Sequence, residues 1–274
     1  MIKEENNIIY TIKSETGSCI FHLFLFDFVP WTLVSSSFMG TRKSMKRSEI
    51  NAIMREVDTF LKQQQFYLPP FSYWTPDEWA TKGEEVREIV DRRLGWDITD
   101  FGQGDYEKIG LFLFTVRNGG PENLKTGKGK TYCEKILVVD VDQVTPLHFH
   151  WLKTEDIINR GGGNLIVQLY NATKDEGLDT TDVTVRIDGV PVTVKAGGIV
   201  TLTPGESITL EPHCYHKFWG AGSRVLVGEV SKVSDDNTDN RFYESVGRFS
   251  AIEEDEAPLY LLVNDYERYY NPAK

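Results

Sequence analysis

The residues of this chain that are best suited to chemistry are concentrated in two short histidine clusters. The chain has 274 residues and only five histidines, and four of these lie in the segments PLHFH (146–150) and PHCYH (212–216). Histidines that served as ordinary surface residues would be scattered along the chain. Two clusters separated by a strand-rich stretch are instead typical of two halves of one metal site.

The spacing of the first cluster places two imidazoles on one side of a strand. Side chains two residues apart on a strand share a face, so His148 and His150 project together while Phe149 points towards packing. Glu155 follows closely enough to turn back and supply a third ligand. His216 begins a second strand, which we expect to face the first, and would supply a fourth ligand. The predicted metal ligands are therefore His148, His150, Glu155 and His216.

The types of these ligands restrict the metal. Imidazole with one carboxylate suits Mn, Fe, Co, Ni or Zn, whereas Ca prefers a site built from oxygen. Four protein ligands on an octahedral ion leave two adjacent positions, which suit a carbonyl and its neighbouring hydroxyl. A His-x-His pair alone is a weak signal, so the interpretation depends on Glu155, His216 and the glycine turn at 161–163. His213 stands in a turn where a small residue is expected, and we expect it outside the ligand set.

Composition excludes several other classes of protein. A net charge of −11 argues against nucleic-acid binding, which needs clustered Lys and Arg. Three cysteines without a CxxC spacing provide neither a disulfide framework nor a zinc knuckle, so a cytoplasmic protein is expected. The apolar stretch at 19–39 is interrupted by Asp27 and Pro30 and follows acidic residues, which argues against a signal or membrane segment. Because Met45 begins a stretch that reads as a normal protein start, we expect residues 1–44 to be a disordered or non-native extension.

The elements that must position the clusters follow from periodicity. Residues 48–65 have apolar side chains at helical spacing, which predicts a first helix with Ser48 as its N-cap. Thr75 and Pro76 are expected to begin a second helix. Residues 84–94 are expected to form a third helix, which ends at Gly95. From residue 109 to 233 the chain is a series of short β-like runs, and Asp188-Gly189 marks a hairpin. We therefore expect a mainly β jelly-roll barrel at about 106–233, a helical part at 45–105 and a C-terminal segment at 234–274, all in one domain.

The same residues carry a family resemblance. The pattern His148-x-His150-x4-Glu155 with its glycine turn resembles the first cupin motif, and Pro204-Gly205 through Pro212-x3-His216 resembles the second. From Met45 onward the chain resembles the D-lyxose isomerase family of cupins. The segments that carry this second resemblance, besides the histidine strand itself, are YLPPF (67–71), WTPDEW (74–79), LGWDITDFG (94–102), YCEK (132–135), NRGGG (159–163) and GEVS (228–231).

The resemblance implies a fold, an activity and partners. The implied fold is a cupin double-stranded β-helix barrel with the N-terminal helices packed outside. The implied activity is aldose–ketose isomerisation, interconverting D-lyxose with D-xylulose and D-mannose with D-fructose. It also implies a divalent metal, commonly manganese, and a homodimer that binds a small sugar and neither nucleic acid nor membrane.

Two further residues are candidates for the proton transfers. Lys135 shares a predicted strand face with Leu137 and Val139, and Glu229 shares one with Val225 and Val227. A charged group on an apolar face is costly unless it is paired or functional. We predict Glu229 as the base and Lys135 as the acid or hydrogen-bond donor to the sugar.

The residues leave alternatives open for these roles. Instead of a catalytic role, Lys135 and Glu229 could form a structural ion pair inside the barrel or face outward. Glu155 is an alternative base if it leaves the metal. Asp239 and Arg241 are predicted to bind sugar hydroxyls, together with Lys135 and Glu155. The same four ligands also suit an Fe(II) cupin dioxygenase, and a non-catalytic sugar-binding cupin is the other alternative, because fold alone does not determine function.

Overall fold

A computed structural model describes residues 44–272 of the chain. The extension predicted at residues 1–44 lies outside this range, except for Ser44. The strands are β1 (Met45–Lys46), β2 (Gly95–Thr99), β3 (Leu111–Asn118), β4 (Tyr132–Val139), β5 (Thr145–Phe149), β6 (Glu155–Asn171), β7 (Val183–Ile187), β8 (Val190–Val194), β9 (Ile199–Leu202), β10 (Ser207–Leu210), β11 (Cys214–Lys232), β12 (Arg241–Phe242) and β13 (Ile252–Glu253). The helices are α1 (Arg47–Gln63), α2 (Pro76–Trp79), α3 (Arg87–Asp91), α4 (Pro121–Thr126) and α5 (Tyr266–Tyr269).

The barrel is organised around its two longest strands, β6 and β11, which pair antiparallel along most of their length. One half of β11 also pairs with β4 and the other half with β5. In the same way, β6 pairs with β10 near its start and with β9 further along. Each long strand therefore contributes to two parts of the wall, which confirms the predicted cupin-type β-barrel.

The glycines at 161–163, predicted as a turn, lie inside β6 and mark an irregularity in its pairing with β11. The register of β6 and β11 shifts between Ala221 and Val225, opposite the glycines at 161–163. Gly162 has a φ of 91°, and a Cβ on it would lie 2.1 Å from the carbonyl oxygen of Arg224. A residue with a side chain would therefore be strained and would clash with the neighbouring backbone.

Apolar side chains fill both faces of the central strands. The inner cluster contains Leu137, Val139, Val225 and Val227, together with residues from β3, β6, β7, β9 and β10. Alternate residues of β3 and β4 point outward and pack against α1, where Ile50 and its helical neighbours are buried. Burial on both faces explains why β3 reads as a continuous apolar run. The helix packed outside the barrel agrees with the prediction.

The helical part differs from the prediction in detail. The first helix begins at Arg47, and the carboxylate of Glu49 accepts a hydrogen bond from the backbone N–H of Lys46. Ser48 does not cap it and instead donates its hydroxyl to Asp255. The segment predicted as the third helix ends early, at Asp91. Gly95–Thr99, which we placed in the helical part, forms β2 and pairs antiparallel with β3, because its alternate side chains are buried on both faces of the sheet.

The C-terminal segment lies against the barrel and the first helix. β12 pairs with β5 beside the histidines, and β13 pairs parallel with β1. Within residues 44–272 no helix has both the length and the apolar character needed to cross a bilayer. The Asp188-Gly189 turn joins β7 and β8 with both residues at positive φ, which confirms the predicted hairpin.

A buried guanidinium joins the start of α1 to the C-terminal segment. The side chain of Arg47 is fully buried and pairs with Asp265 at 2.9 Å and with Glu254 at 2.8 Å. Arg47→Ala would leave the nearly buried Asp265 carboxylate without this partner, so we expect a loss of about 3 kcal/mol in the free energy of unfolding. Urea denaturation measures this loss. The control Arg87→Ala, which removes an exposed pair with Glu84, should leave the midpoint nearly unchanged, and equal losses in both variants would contradict the prediction.

Candidate active site

Three imidazoles meet inside the barrel. His148 on β5 lies opposite His216 on β11 in the register of these strands, and His150 follows directly after β5. Ligand atoms of the three rings lie within 4.8 Å of one another, and all three side chains are buried. Phe149 points to the other side and packs against Tyr215 and Trp151, as the strand alternation predicts.

Backbone carbonyls determine which ring nitrogen is available. The Nδ1 atoms of His148, His150 and His216 lie 2.8, 2.6 and 3.0 Å from the carbonyl oxygens of Pro146, Asp239 and Cys214, respectively. A carbonyl oxygen only accepts, so each Nδ1 must carry the proton and donate it. In a neutral ring this leaves the Nε2 lone pair free, which is the arrangement found in metal-ligating histidines.

Glu155 completes the group of candidate ligands. Its Oε1 atom lies 3.3 Å from His150 Nε2 and 3.2 Å from His216 Nε2. Burial would raise the pKa of Glu155, but Lys153 and His150 outweigh that effect and hold its pKa well below the usual range. The carboxylate is therefore ionised, as a metal ligand must be.

The electrostatics of the rings also suit a cation. Burial lowers the pKa of His148 well below its ordinary value, and the neighbouring His216 and His150 lower it further. A neutral His148 presents a lone pair rather than a positive charge. One carboxylate and three imidazoles with converging Nε2 atoms fit a divalent transition metal, so these four residues could hold such an ion.

Beside the ligands, buried charges of alternating sign continue along the cavity wall. Lys153 Nζ lies 2.7 Å from Glu155 Oε2 and 2.8 Å from Glu229 Oε1. Glu229 lies 3.6 Å from Lys135, which contacts Asp236 at 2.8 Å. Asp236 then pairs with Arg248, which also binds Asp97. We call this series the charge chain; its members in order are Glu155, Lys153, Glu229, Lys135, Asp236, Arg248 and Asp97.

Opposite charges keep both lysines of the charge chain protonated. Burial would lower the pKa of Lys153, but Glu155 and Glu229 raise it above its ordinary value. For Lys135 burial again acts downward, and Asp236 and Glu229 reverse it, so its pKa is also raised. Two ammonium groups therefore flank the carboxylate of Glu229 in the cavity.

Comparison with known proteins identifies the family. A sequence model described as D-lyxose isomerase matches residues 45–266. This chain belongs to the D-lyxose isomerase family. Two relatives named D-lyxose/D-mannose isomerase support the assignment. The one from Serratia proteamaculans is 49% identical over 228 residues, covering 82% of this chain and 99% of the relative, and the one from Escherichia coli is 47% identical over 229 residues, covering 82% and 100%. The protein is therefore an isomerase that acts on sugars.

Solved structures show the same fold. The L-ribose isomerase of Acinetobacter sp. DL28 in complex with L-ribose aligns with a TM-score of 0.52 at 18% identity, covering 77% of this chain and 99% of that one. The L-ribose isomerase of Geodermatophilus obscurus aligns with a TM-score of 0.50 at 17% identity, with the same coverage. At these identities the likeness concerns the fold alone.

The structure brings most of the predicted site together. Glu229 and Lys135 are register neighbours on β11 and β4, and both line the cavity that contains the four candidate ligands. They face inward rather than out to solvent. His213 is exposed, has a φ of 63° and contacts the Phe149 ring, so it stands apart from the histidine cluster as expected.

Asp239 and Arg241, predicted to bind sugar hydroxyls, do not line this cavity. The carboxylate of Asp239 accepts hydrogen bonds from the backbone N–H groups of Leu152 and Lys153, and its carbonyl accepts from His150. Arg241 donates to Glu176 and to the carbonyl of Phe242. We therefore revise their roles: Asp239 positions the His150 loop, and Arg241 joins two surface segments.

Four members of the charge chain were missed by sequence reasoning, namely Lys153, Asp236, Arg248 and Asp97. Lys153 carries a usable signal, because in extended backbone it lies two residues before Glu155 and thus on the same face. Asp236 and Arg248 lie in the irregular C-terminal segment, where no periodicity shows which way a side chain points. The apolar wall of the cavity includes Phe218 and Phe242.

Removing a candidate ligand should weaken metal binding. We expect His148→Ala and His216→Ala each to lower affinity for a divalent ion by more than about 100-fold, because loss of even an outer hydrogen-bond partner costs 10–100-fold. Equilibrium dialysis with elemental analysis measures the affinity. His213→Ala, from the same cluster, is the control and should bind as the unaltered protein does. Full occupancy in either ligand variant would refute its assignment.

Proposed function

We propose that this protein is a metal-dependent aldose–ketose isomerase that interconverts D-lyxose with D-xylulose and D-mannose with D-fructose. The convergence of three Nε2 atoms and the Glu155 carboxylate beside Glu229 carries the proposal. The names of the two relatives support the sugars, and the family resemblance supports Mn²⁺ and a homodimer.

The four candidate ligands would hold the ion through His148, His150, His216 and Glu155. When bound, a divalent ion supplies Lewis-acid polarisation of the sugar carbonyl and its neighbouring hydroxyl, which favours the enediolate. The backbone carbonyls behind the three Nδ1 atoms keep the rings oriented. The burial of these residues keeps bulk water away from the reacting carbons.

Glu229 is placed to move the proton. Isomerisation requires a proton to leave carbon 2 of the aldose and to return at carbon 1. We assign this transfer to the Glu229 carboxylate: the C2–H bond breaks, the proton passes to the carboxylate, and the same group returns it to carbon 1. The second proton moves from O2 to O1, and we assign it to Lys135, whose ammonium gives a proton to O1 and recovers one from the O2 hydroxyl. Lys153 bridges Glu229 and Glu155 and so holds the proposed base in a defined position relative to the ligand cluster.

Lys135 is placed to serve an oxygen of the sugar. Its ammonium is held by Asp236 at 2.8 Å and by the Ser234 hydroxyl at 2.9 Å. Because its raised pKa keeps it protonated, it can donate a hydrogen bond to the oxygen that gains negative charge as the proton leaves. The pairing of Lys135 with Glu229 is thus both structural and catalytic in this proposal.

The activity itself has a direct test. Protein loaded with Mn²⁺ is incubated under nitrogen with D-lyxose, D-mannose and a panel of other pentoses and hexoses. We expect D-xylulose and D-fructose to form without any oxygen. Product formation that requires oxygen, with uptake at an oxygen electrode, would instead identify an Fe(II) dioxygenase, and binding of sugar without turnover would identify a sugar-binding cupin.

The role of Glu229 is tested by a substitution that keeps its shape. Glu229→Gln should retain metal but lose about 10²–10⁴-fold in kcat, because the amide cannot accept the proton. The variant should also lose exchange of the substrate C2 hydrogen with solvent deuterium, measured by NMR. Glu211→Gln, an exposed site before the second cluster, is the matched control. Near-normal turnover in Glu229→Gln would move the base to another residue, with Glu155 the next candidate.

A further inference from the structure

Two polar atoms in the wall of the same cavity are left without partners. Across residues 44–272, the buried side-chain atoms that make no hydrogen bond are Thr145 Oγ1 and Arg248 Nη1. Both residues line the cavity that holds the histidine cluster. Buried polar atoms are nearly always paired, so two unpaired ones in the wall of one cavity require an explanation.

The Arg248 guanidinium is fixed in orientation. Its Nη2 atom donates to Asp97 Oδ2 at 2.7 Å and to Asp236 Oδ2 at 3.2 Å. These two bonds hold one edge of the planar group, so the free Nη1 keeps a defined direction. In the charge chain Arg248 follows Asp236, at the end remote from Glu155 and the candidate metal ligands.

Thr145 presents a hydroxyl in an otherwise apolar part of the wall. The residue is 2% exposed and lies opposite Phe218 where β5 pairs with β11. Phe101, Leu111 and Phe242 line the same cavity. Valine has the same shape and would suit these neighbours better in the free protein, because an unpaired buried hydroxyl is destabilising. A hydroxyl at this place is therefore explained by ligand binding better than by packing.

We propose that Thr145 and Arg248 form a polyol subsite, which binds hydroxyl groups of the open-chain sugar beyond the two reacting carbons. The inference rests on the proposed function. There, the oxygens of carbons 1 and 2 would be bound by the ion that the candidate ligands hold and by Lys135. The remaining hydroxyls need partners, and each both donates and accepts. Arg248 Nη1 donates to one such oxygen, and the Thr145 hydroxyl pairs with another.

This subsite would contribute to specificity. A site built to hydrogen-bond a hydroxyl rejects the analogue that lacks it, because its own polar groups are then left unpaired. Binding energy from the remote end of a substrate also orients the reacting carbons. We therefore expect deoxy sugars that lack a contacted hydroxyl to be poor substrates even though their carbons 1 and 2 are intact.

Thr145→Val separates a binding role from a structural one. We expect Tm to stay the same or rise, since the unpaired hydroxyl is removed, while kcat/KM for D-lyxose falls roughly five- to tenfold. Thr201→Val, at an exposed position of β9, is the control and should leave kcat/KM unchanged. A lower Tm with unchanged kcat/KM would mean that the Thr145 hydroxyl is structural and would overturn its part of the proposal.

Arg248→Lys tests the part of the proposal that concerns Arg248. It keeps a positive charge beside Asp97 and Asp236 but removes Nη1. Against D-lyxose we expect kcat/KM to fall about 10–100-fold, the usual range for a hydrogen bond to a charged group. With the 3-deoxy, 4-deoxy and 5-deoxy analogues of D-lyxose, the analogue that lacks the contacted hydroxyl should show no difference between variant and unaltered protein. An equal fold loss on all four sugars would contradict direct contact. Arg224→Lys, whose ion pair with Asp140 lies outside this cavity, is the control.

Calorimetric titration of metal-loaded protein with D-lyxose distinguishes this inference from the proposed function. If the unaltered protein isomerises D-lyxose but the variants lose no sugar-specific affinity or activity, the polyol subsite alone is wrong. If the protein binds D-lyxose without turning it over, and Thr145→Val and Arg248→Lys weaken that binding, the subsite stands and the proposed function fails. If D-lyxose neither binds nor reacts, both are wrong.

Discussion

The antiparallel pairing of β6 with β11 is the contact on which the site depends. Glu155 stands at the first position of β6, and both His216 and Glu229 lie on β11, so one strand pair supplies two of the four candidate ligands and the proposed base. His216 Nε2 lies 3.2 Å from Glu155 Oε1 although the register pairs Glu155 with Ser231, so the two long strands curve between these positions. Within this stretch Gly162 lets the backbone approach the carbonyl of Arg224 where a side chain would clash.

Burial of charge is the second constraint, and it determines how the cavity is built. An isolated charge inside an apolar barrel is expensive, so each buried group must be paired. The charge chain meets this requirement by alternating sign from Glu155 to Asp97, and the backbone carbonyls do the same for the Nδ1 protons of the histidines. Because each member is held by its neighbours, the ligands and the proposed acid–base groups occupy defined positions before a sugar binds.

The ligand set and its surroundings play different parts in determining the chemistry. Three histidines and a carboxylate are compatible with isomerisation, with oxygen chemistry or with simple binding. What favours isomerisation is the pair of ammonium groups around Glu229, together with membership of the D-lyxose isomerase family. In the charge chain the candidate metal ligand Glu155 stands at one end and Arg248, with its unpaired Nη1, lies towards the other.

The sequence by itself determined those features that depend on local periodicity. Strand alternation predicted the shared face of His148 and His150 and placed Lys135 and Glu229 on faces that they share with apolar residues. Helical periodicity predicted the helix that begins near residue 47. Long-range packing decided the rest. Only the fold shows that Gly95–Thr99 joins the sheet, that Asp239 binds backbone rather than cavity, and that Asp236 and Arg248 reach the interior. These residues lie in segments without a repeating pattern, so their direction is set by neighbours distant in the chain.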